Sequence, residues 1–352
     1  MNVLFVWTGV PSYMVACWRE LASRPGVKVK LLLEISSGNE ASVEDMLQGL
    51  DFTFCFNGKA VEKAIVRNSV AEFNPDLLVS VGWRAKISRF MALDNAFESI
   101  PKLLAYDMIF EWKLKKFLAP LLLRSYIKRF VGAFVPGDRT TFYSKFLGFS
   151  SSNIHRGLFG IDAVKFAEAY EMRKKKESYP RSFAFVGRYA TEKRLDVLVE
   201  AYKRYRSKVE CPWSLNSYGQ GEFAGLLCNV EGINDCGLAT PDCMMDVYAN
   251  NGAFVLTSEY DPWPLVVAES VASGLPVVCT EACGSHADLV RSHYNGVVCG
   301  TNDARSIAEG MLWIHENEDN LLEIGGRGMA LVAPYSKEQW CEYFLQICEK
   351  YV

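Results

Sequence analysis

Apolar residues along this chain alternate between two patterns. Short continuous runs at residues 3–7, 27–33, 77–81, 103–106 and 133–135, and again at 183–186, 214–218, 253–257 and 277–280, have the length and flanks of buried parallel strands. Between them apolar residues recur at helical spacing, as at 13–22 and at Leu195, Leu198, Val199 and Tyr202. This alternation predicts parallel βαβ units with binding loops at the C-terminal ends of the strands. A helical, lysine-rich segment at 162–180 separates the two series and marks a domain boundary.

At 352 residues the chain is longer than a single core ordinarily grows, so two domains are expected. The first residues, NVLFVW, read as a strand and not as a secretion signal, and no run approaches the roughly 18 apolar residues of a membrane span. Eleven scattered cysteines, an odd number without a Cys-x-x-Cys pair, predict a reduced cytoplasmic protein with neither a disulfide framework nor a zinc site. Cys279 and Cys283 near His286 lack a fourth ligand and read as packing residues. The overall charge of −3 conceals an asymmetry: residues 1–162 carry +5 and the remainder −8. The positive excess centres on EWKLKKFLAPLLLRSYIKRF, where Lys113, Lys115, Lys116, Arg124, Lys128 and Arg129 interleave with Trp112, Leu114, Phe117, Leu118, Leu121, Leu122, Tyr126, Ile127 and Phe130. Such a basic amphipathic stretch, over 112–130, suits an anionic membrane surface; the alternative is a helix pair, broken at Pro120, with a solvated basic face. Nucleic acid is not expected, because the second half is acidic and no binding module is recognisable.

The richest chemistry lies in NGAFVLTSEYDPWPLVVAESVASGLPVVCT, residues 251–280. Asp261 falls on a loop after a strand, Pro264 suits the first position of a helix, and Gly274 with Pro276 closes that helix. Glu269, a turn and a half in and flanked by valines, requires a polar partner. The N–H groups of Leu265 and Val266, which open the helix, form a site for phosphate. Taken alone, the same residues also fit a solvated turn aspartate and a salt-bridged helix glutamate. Upstream, FAFVGRYATEKR places Arg188 and Lys193 after a strand end, a guanidinium fork and a compact charge suited to a diphosphate. A surface basic pair at a helix start is the plainer reading of that segment.

FVGRYATEKR and SEYDPWPLVVAES together resemble the glycine-arginine to lysine motif and the E-x7-E segment of the family 4 retaining glycosyltransferases. GLFGID, YGQGEF with Gly219 and Gly221, SGLPVV, and HYNGVV with Asn295 and Gly296 are similar to further landmarks in the same order. The resemblance is strong over the C-terminal half and weak over the first. It implies an α/β chain of GT-B fold, two Rossmann-like βαβ domains facing across a cleft. Residues 1–163 would bind acceptor, residues 164–335 would bind a nucleotide-sugar donor, and helix 336–352, with Trp340, Tyr343, Phe344 and Ile347 on one side, would return to the first domain.

The resemblance further implies that Glu269 holds the ribose hydroxyls, Arg188 and Lys193 the diphosphate, Leu265 and Val266 after Pro264 the distal phosphate, and Asp261 a donor-sugar hydroxyl. Gly219, Gly221 and Gly9 would belong to the donor-binding loops. No metal is expected, since no DxD sequence occurs. The donor would be a nucleoside-diphosphate sugar, UDP ahead of GDP, and the acceptor a saccharide, lipid-linked and met at the inner face of a membrane. Two departures stand out: Asp261 occupies a position where the family usually has glutamate, and LLAYDMIF offers Asp107 where many members carry a histidine. A non-catalytic GT-B partner subunit and a GT-B sugar-nucleotide epimerase are the alternatives. A nicotinamide dehydrogenase fits less well, because Gly219-x-Gly221 is only a fragment of its glycine fingerprint.

Overall fold

Two parallel sheets organise the computed structural model, which describes residues 1–35, 40–55 and 62–352. The chain divides into two units, Met1–Ile161 with Tyr335–Val352, and Asp162–Pro334. In the first, strands β1 (Asn2–Thr8), β2 (Lys28–Glu34), β3 (Asp51–Phe54), β4 (Leu77–Val81), β5 (Lys102–Ala105), β6 (Gly132–Val135) and β7 (Ile154–Arg156) assemble in the order β3-β2-β1-β4-β5-β6-β7. In the second, β8 (Ser182–Val186), β9 (Ser214–Tyr218), β10 (Ile233–Asp235), β11 (Ala253–Leu256), β12 (Val277–Thr280) and β13 (Gly296–Cys299) form the order β10-β9-β8-β11-β12-β13. Every named strand pair is parallel. Helices crossing both faces explain why central strands are continuously apolar: Val3 to Val6 and Phe254 to Leu256 have no exposed surface.

The helix Lys337–Tyr351 packs within the first unit. Phe344 meets Phe5 and Phe134 at 5.5 and 5.7 Å, and the Trp340 indole N–H donates to the Leu158 carbonyl at 2.9 Å. Gly160 makes this approach possible, because a Cβ there would lie 2.6 Å from Cys17 Sγ and 3.0 Å from Trp340. Tyr343 does not join that face as expected. The buried stripe runs through Trp340, Cys341, Phe344, Ile347 and Cys348, which turns Tyr343 outward. Pro120 also departs from expectation: one helix, Leu114–Leu122, runs through it, and the break comes at Leu123, before the short helix Arg124–Ile127. Tyr126, Ile127 and Phe130, grouped in the sequence with the outer face, are core residues.

Candidate functional site

In each sheet the strand order reverses at one point, where neighbouring crossovers diverge and leave a crevice at the C-terminal edge. In the second unit that point lies between β8 and β11. The segment after β8 runs through Gly187 and Arg188 to a 3-10 turn, Thr191–Lys193, then through Arg194 in the left-handed region (φ 51°) into the helix Leu195–Arg206. After β11 the buried Thr257 hydroxyl donates to the Lys193 carbonyl at 2.9 Å, and the Glu259 N–H to the Glu192 carbonyl at 2.9 Å. Arg194 adds an ion pair to Glu259 at 3.0 Å. These bonds hold the two loops together across the point of reversal.

Lys193 and Asp261 meet there: Nζ donates to Oδ2 at 2.5 Å, with only 13% and 16% of the two side chains exposed. The sequence assigned these groups to different parts of a ligand; in the structure each is the other's partner. Burial raises the Asp261 carboxyl above its ordinary value, although Lys193 pulls it down. Asp261 is fixed through its backbone as well, its N–H on the Ala282 carbonyl at 3.3 Å and its carbonyl accepting from Gly284 N–H at 2.8 Å. Trp263 anchors the following residues from the core, donating to Asp288 at 3.1 Å. Arg188 is different, with 78% of its side chain exposed and a 2.6 Å contact to Glu192 four residues on. Its charge still lowers the Asp261 carboxyl, so it stands in the same electrostatic neighbourhood.

The helix Leu265–Ala272 begins one residue later than expected. Pro264 is its N-cap, with extended backbone (ψ 114°), and its carbonyl accepts from Val267 N–H at 3.2 Å. Leu265 and Val266 thus provide the opening N–H groups. Glu269 has the polar partner its surroundings demand: the buried Tyr248 hydroxyl donates to Oε2 at 2.8 Å. Burial still raises the Glu269 carboxyl, with the Tyr248 bond and then the Lys165 charge opposing it. Tyr248 is held in turn, its carbonyl accepting from the buried Arg173 at 2.5 Å. Asp261 is therefore an ion-paired residue and not a solvated turn aspartate, and Glu269 is bonded to a tyrosine hydroxyl where the plainer reading had a salt bridge.

Gly219 and Gly221 lie on the loop after β9, and their glycine character has a steric origin. A Cβ on Gly219 would sit 2.0 Å from the Gly187 carbonyl oxygen, and one on Gly221 2.4 Å from that of Tyr189. Gly187 N–H donates to Tyr218, Tyr189 N–H to Gln220 and Gly219 N–H to Gly237. The glycines thus let one loop lie against the other and set the course of the segment bearing Arg188. Asn295 and Gly296 are likewise explained by packing, Asn295 Nδ2 bonding the Leu289 carbonyl at 2.9 Å and Gly296 lying against Val277.

Within the first unit the order reverses between β1 and β4, and a cavity of about 370 Å³ opens there. Gly9 and Asp107 both line it, with Trp7, Tyr13, Tyr106 and Phe159. Gly9 takes φ 67° immediately after β1 and donates to the Glu34 carbonyl at 3.0 Å. The Asp107 carbonyl accepts from Thr140 at 3.2 Å, and the Asp107 charge, second to burial, raises the Tyr13 hydroxyl. Sequence reasoning missed Tyr248, Tyr13 and Trp7; Trp7 and Tyr13 flank Gly9 closely enough to have been included, whereas nothing near Tyr248 announces a glutamate partner.

Residues 168–328 match the family described as Glycosyl transferases group 1. An uncharacterised glycosyltransferase of Haemophilus influenzae is 24% identical over 162 residues, 45% of this chain and 46% of that relative, so the match spans less than half of either. A glycosyltransferase of Rickettsia africae superposes with a TM-score of 0.76 at 13% identity, covering 99% of this chain and 98% of its own. An Anabaena protein crystallised with UDP and glucose gives 0.76 at 13%, covering 99% and 100%. The chain thus has the GT-B fold, and its residues 168–328 are similar to the glycosyl transferases group 1 family.

Proposed function

We propose that this protein is a retaining glycosyltransferase, of family 4 type, that moves a sugar from a nucleoside-diphosphate sugar to a saccharide acceptor, lipid-linked, in cell-surface polysaccharide or glycolipid synthesis. The Lys193–Asp261 pair at the β8–β11 reversal, beside an exposed guanidinium and a helix start, is the observation that carries this reading. Charge develops on the departing diphosphate, and fixed cations and oriented N–H groups stabilise it best when already in place. Arg188 and Lys193 would meet the diphosphate, and Leu265 and Val266 its distal phosphate. When Lys193 turns to phosphate, Asp261 becomes free to accept a donor-sugar hydroxyl. Glu269, oriented by Tyr248, would hold the ribose. UDP is the first base to test, since the Anabaena structure of the same fold holds it.

In the proposed reaction the acceptor hydroxyl attacks the anomeric carbon from the side of the leaving group. The bond between that carbon and the phosphate oxygen breaks, and the hydroxyl proton passes to that oxygen, so the configuration is retained. Arg188, Lys193 and the helix start carry the charge without a metal. Asp107, in the cavity of the first unit, is the acidic group proposed to contact the acceptor.

The deciding experiment is thermal stabilisation by UDP, GDP, ADP and their sugar conjugates, with Glu269→Ala and Arg188→Ala as controls. A base-selective shift lost in both variants supports the donor site. The absence of any shift overturns it, and a shift without turnover across acceptors favours a non-catalytic partner subunit. Proton NMR of the product anomer tests retention, and turnover in EDTA tests metal independence.

A further inference from the structure

The helix Leu114–Leu122 packs with its amphipathicity inverted. Its core-facing side carries Ala119, Pro120 and Lys116, whose ammonium turns inward to the Ile109 carbonyl at 3.1 Å and lies 4.9 Å from the Tyr143 ring. Its apolar stripe, Leu114, Phe117, Leu118, Leu121 and Leu122, follows the i, i+3, i+4, i+7, i+8 spacing that ordinarily faces a core. Here it faces outward: Leu114, Leu121 and Leu122 are 75%, 72% and 68% exposed, and the preceding Trp112 is 86% exposed. Phe110 ties the stripe into one aromatic surface, with ring centroids 5.5 Å from Trp112, 5.2 Å from Phe117 and 6.1 Å from the exposed Phe142. Contiguous apolar surface of this kind marks a binding face.

Charge identifies the occupant. Lys115, Arg124 and Lys128 are exposed beside the stripe, and between residues 112 and 130 there is no carboxylate. Glu111, at the margin, is taken up by Lys113 at 2.5 Å. An apolar ridge flanked by cations complements acyl chains beneath anionic headgroups, whereas a protein groove would have to supply both a hydrophobic trough and flanking acids. No helix among the described residues is long and apolar enough to cross a bilayer, so attachment would be to one leaflet.

We propose that Trp112 and the outer stripe of the Leu114–Leu122 helix insert into the headgroup boundary of an anionic membrane, with Lys115, Arg124 and Lys128 on its lipid phosphates. This goes beyond the donor chemistry and uses none of its residues; it would bring the first unit to a lipid-linked acceptor if the preceding reading holds.

Flotation with vesicles of phosphatidylcholine, alone or with phosphatidylglycerol, tests it. The protein is expected to float with the anionic vesicles at low salt, with a blue-shifted Trp112 emission absent from Trp112→Ala. Leu121→Glu with Leu122→Glu should weaken binding by more than about tenfold, and each of Lys115→Glu, Arg124→Glu and Lys128→Glu by about fivefold. Both sets are surface changes, and retention of the UDP-dependent thermal shift separates loss of this face from loss of the donor site. Wild-type protein that stays unbound at low salt, or a leucine double variant that floats as well as wild type, overturns the proposal. A concentration-dependent dimer dispersed by that double variant, with no flotation, would also overturn it and assign the face to a second copy. Flotation without any nucleotide shift would leave this inference standing and remove the transferase reading.

Discussion

Both units present loops at the C-terminal edge of a parallel sheet, at the point of reversed strand order, and they furnish it with opposite chemistry. The second unit places Lys193 and Asp261 there, locked by backbone and side-chain bonds across the two loops, with the exposed Arg188 beside them. The first lines its cavity with Trp7, Tyr13, Tyr106 and Phe159 and, among the described residues, a single carboxylate, Asp107. A diphosphate is recognised through charge at fixed points. A sugar ring presents apolar faces and hydroxyls together and suits aromatic walls with one or two polar groups. This contrast between the two crevices supports the division of labour proposed for this protein.

The largest effect that tests the division is on turnover. Lys193→Ala removes a cation from the developing charge and should lower kcat by about 10²- to 10³-fold. It also strands Asp261, partly desolvated, so Tm should fall as well. Arg188→Ala should lower turnover with little change in Tm, because an exposed pair four residues apart contributes under about 0.5 kcal/mol. Asp107→Asn should raise the acceptor KM and leave UDP-sugar stabilisation untouched. Loss of nucleotide stabilisation in Asp107→Asn would break the comparison.

Acid should also separate the units. His155 in the first unit, bonded to Tyr351 at 2.8 Å, is pushed down to about 4, mainly by burial and then by Lys350. A histidine kept neutral in the fold stabilises above its ordinary value and loses that contribution as pH falls from 6.5 towards 4, on the order of 3 kcal/mol. His155→Gln should abolish this loss, read by peptide-resolved hydrogen exchange near β7 and the last helix. Asp261 and Glu269 have the opposite sign: their raised values mean the fold binds the proton more readily, so ionisation at neutral pH costs stability. Glu269→Gln should therefore be more stable than wild type at pH 7, an advantage that shrinks as pH falls through the raised value. His315, lowered by burial, adds an acid loss to both chains and cancels in that difference.

Legibility from sequence followed the same physics. The central strands were readable because burial on both faces demands unbroken apolar runs. The four strands not anticipated, β3, β7, β10 and β13, are the sheet edges, where one neighbour suffices; β3, β7 and β10 carry polar residues, and β13 is a run of only four residues opened by a glycine. Asp261, Glu269, Arg188 and Lys193 were findable because charge in an apolar context needs a reason. Their pairing was not, since Lys193 and Asp261 are 68 residues apart and meet only through loop geometry.

Glycines give a smaller contrast. Gly219→Ala would drive a methyl to 2.0 Å from the Gly187 carbonyl, costing about 1–3 kcal/mol and displacing the Arg188 segment. Nucleotide stabilisation should fall with it. Gly9→Ala meets nothing within 4 Å and bears only its positive φ, about 1–2 kcal/mol. If Gly9→Ala proved the more damaging to nucleotide binding, the first unit would hold part of the donor, as the resemblance implies for the Gly9 loop.

The smallest expected effect is the most specific. Tyr248→Phe deletes one buried hydroxyl bonded to the half-buried Glu269, so folding should lose about 1 kcal/mol. The Glu269 carboxyl should rise further, because the bond that opposes burial has gone. A carboxylate less firmly oriented and less fully ionised would hold ribose hydroxyls more weakly. The expected result is a donor KM raised about three- to tenfold, kcat nearly unchanged, and a donor-binding pH profile displaced upward. A merely structural tyrosine would lower Tm and leave that profile in place, and this outcome would return Glu269 to the role of a packed helix residue.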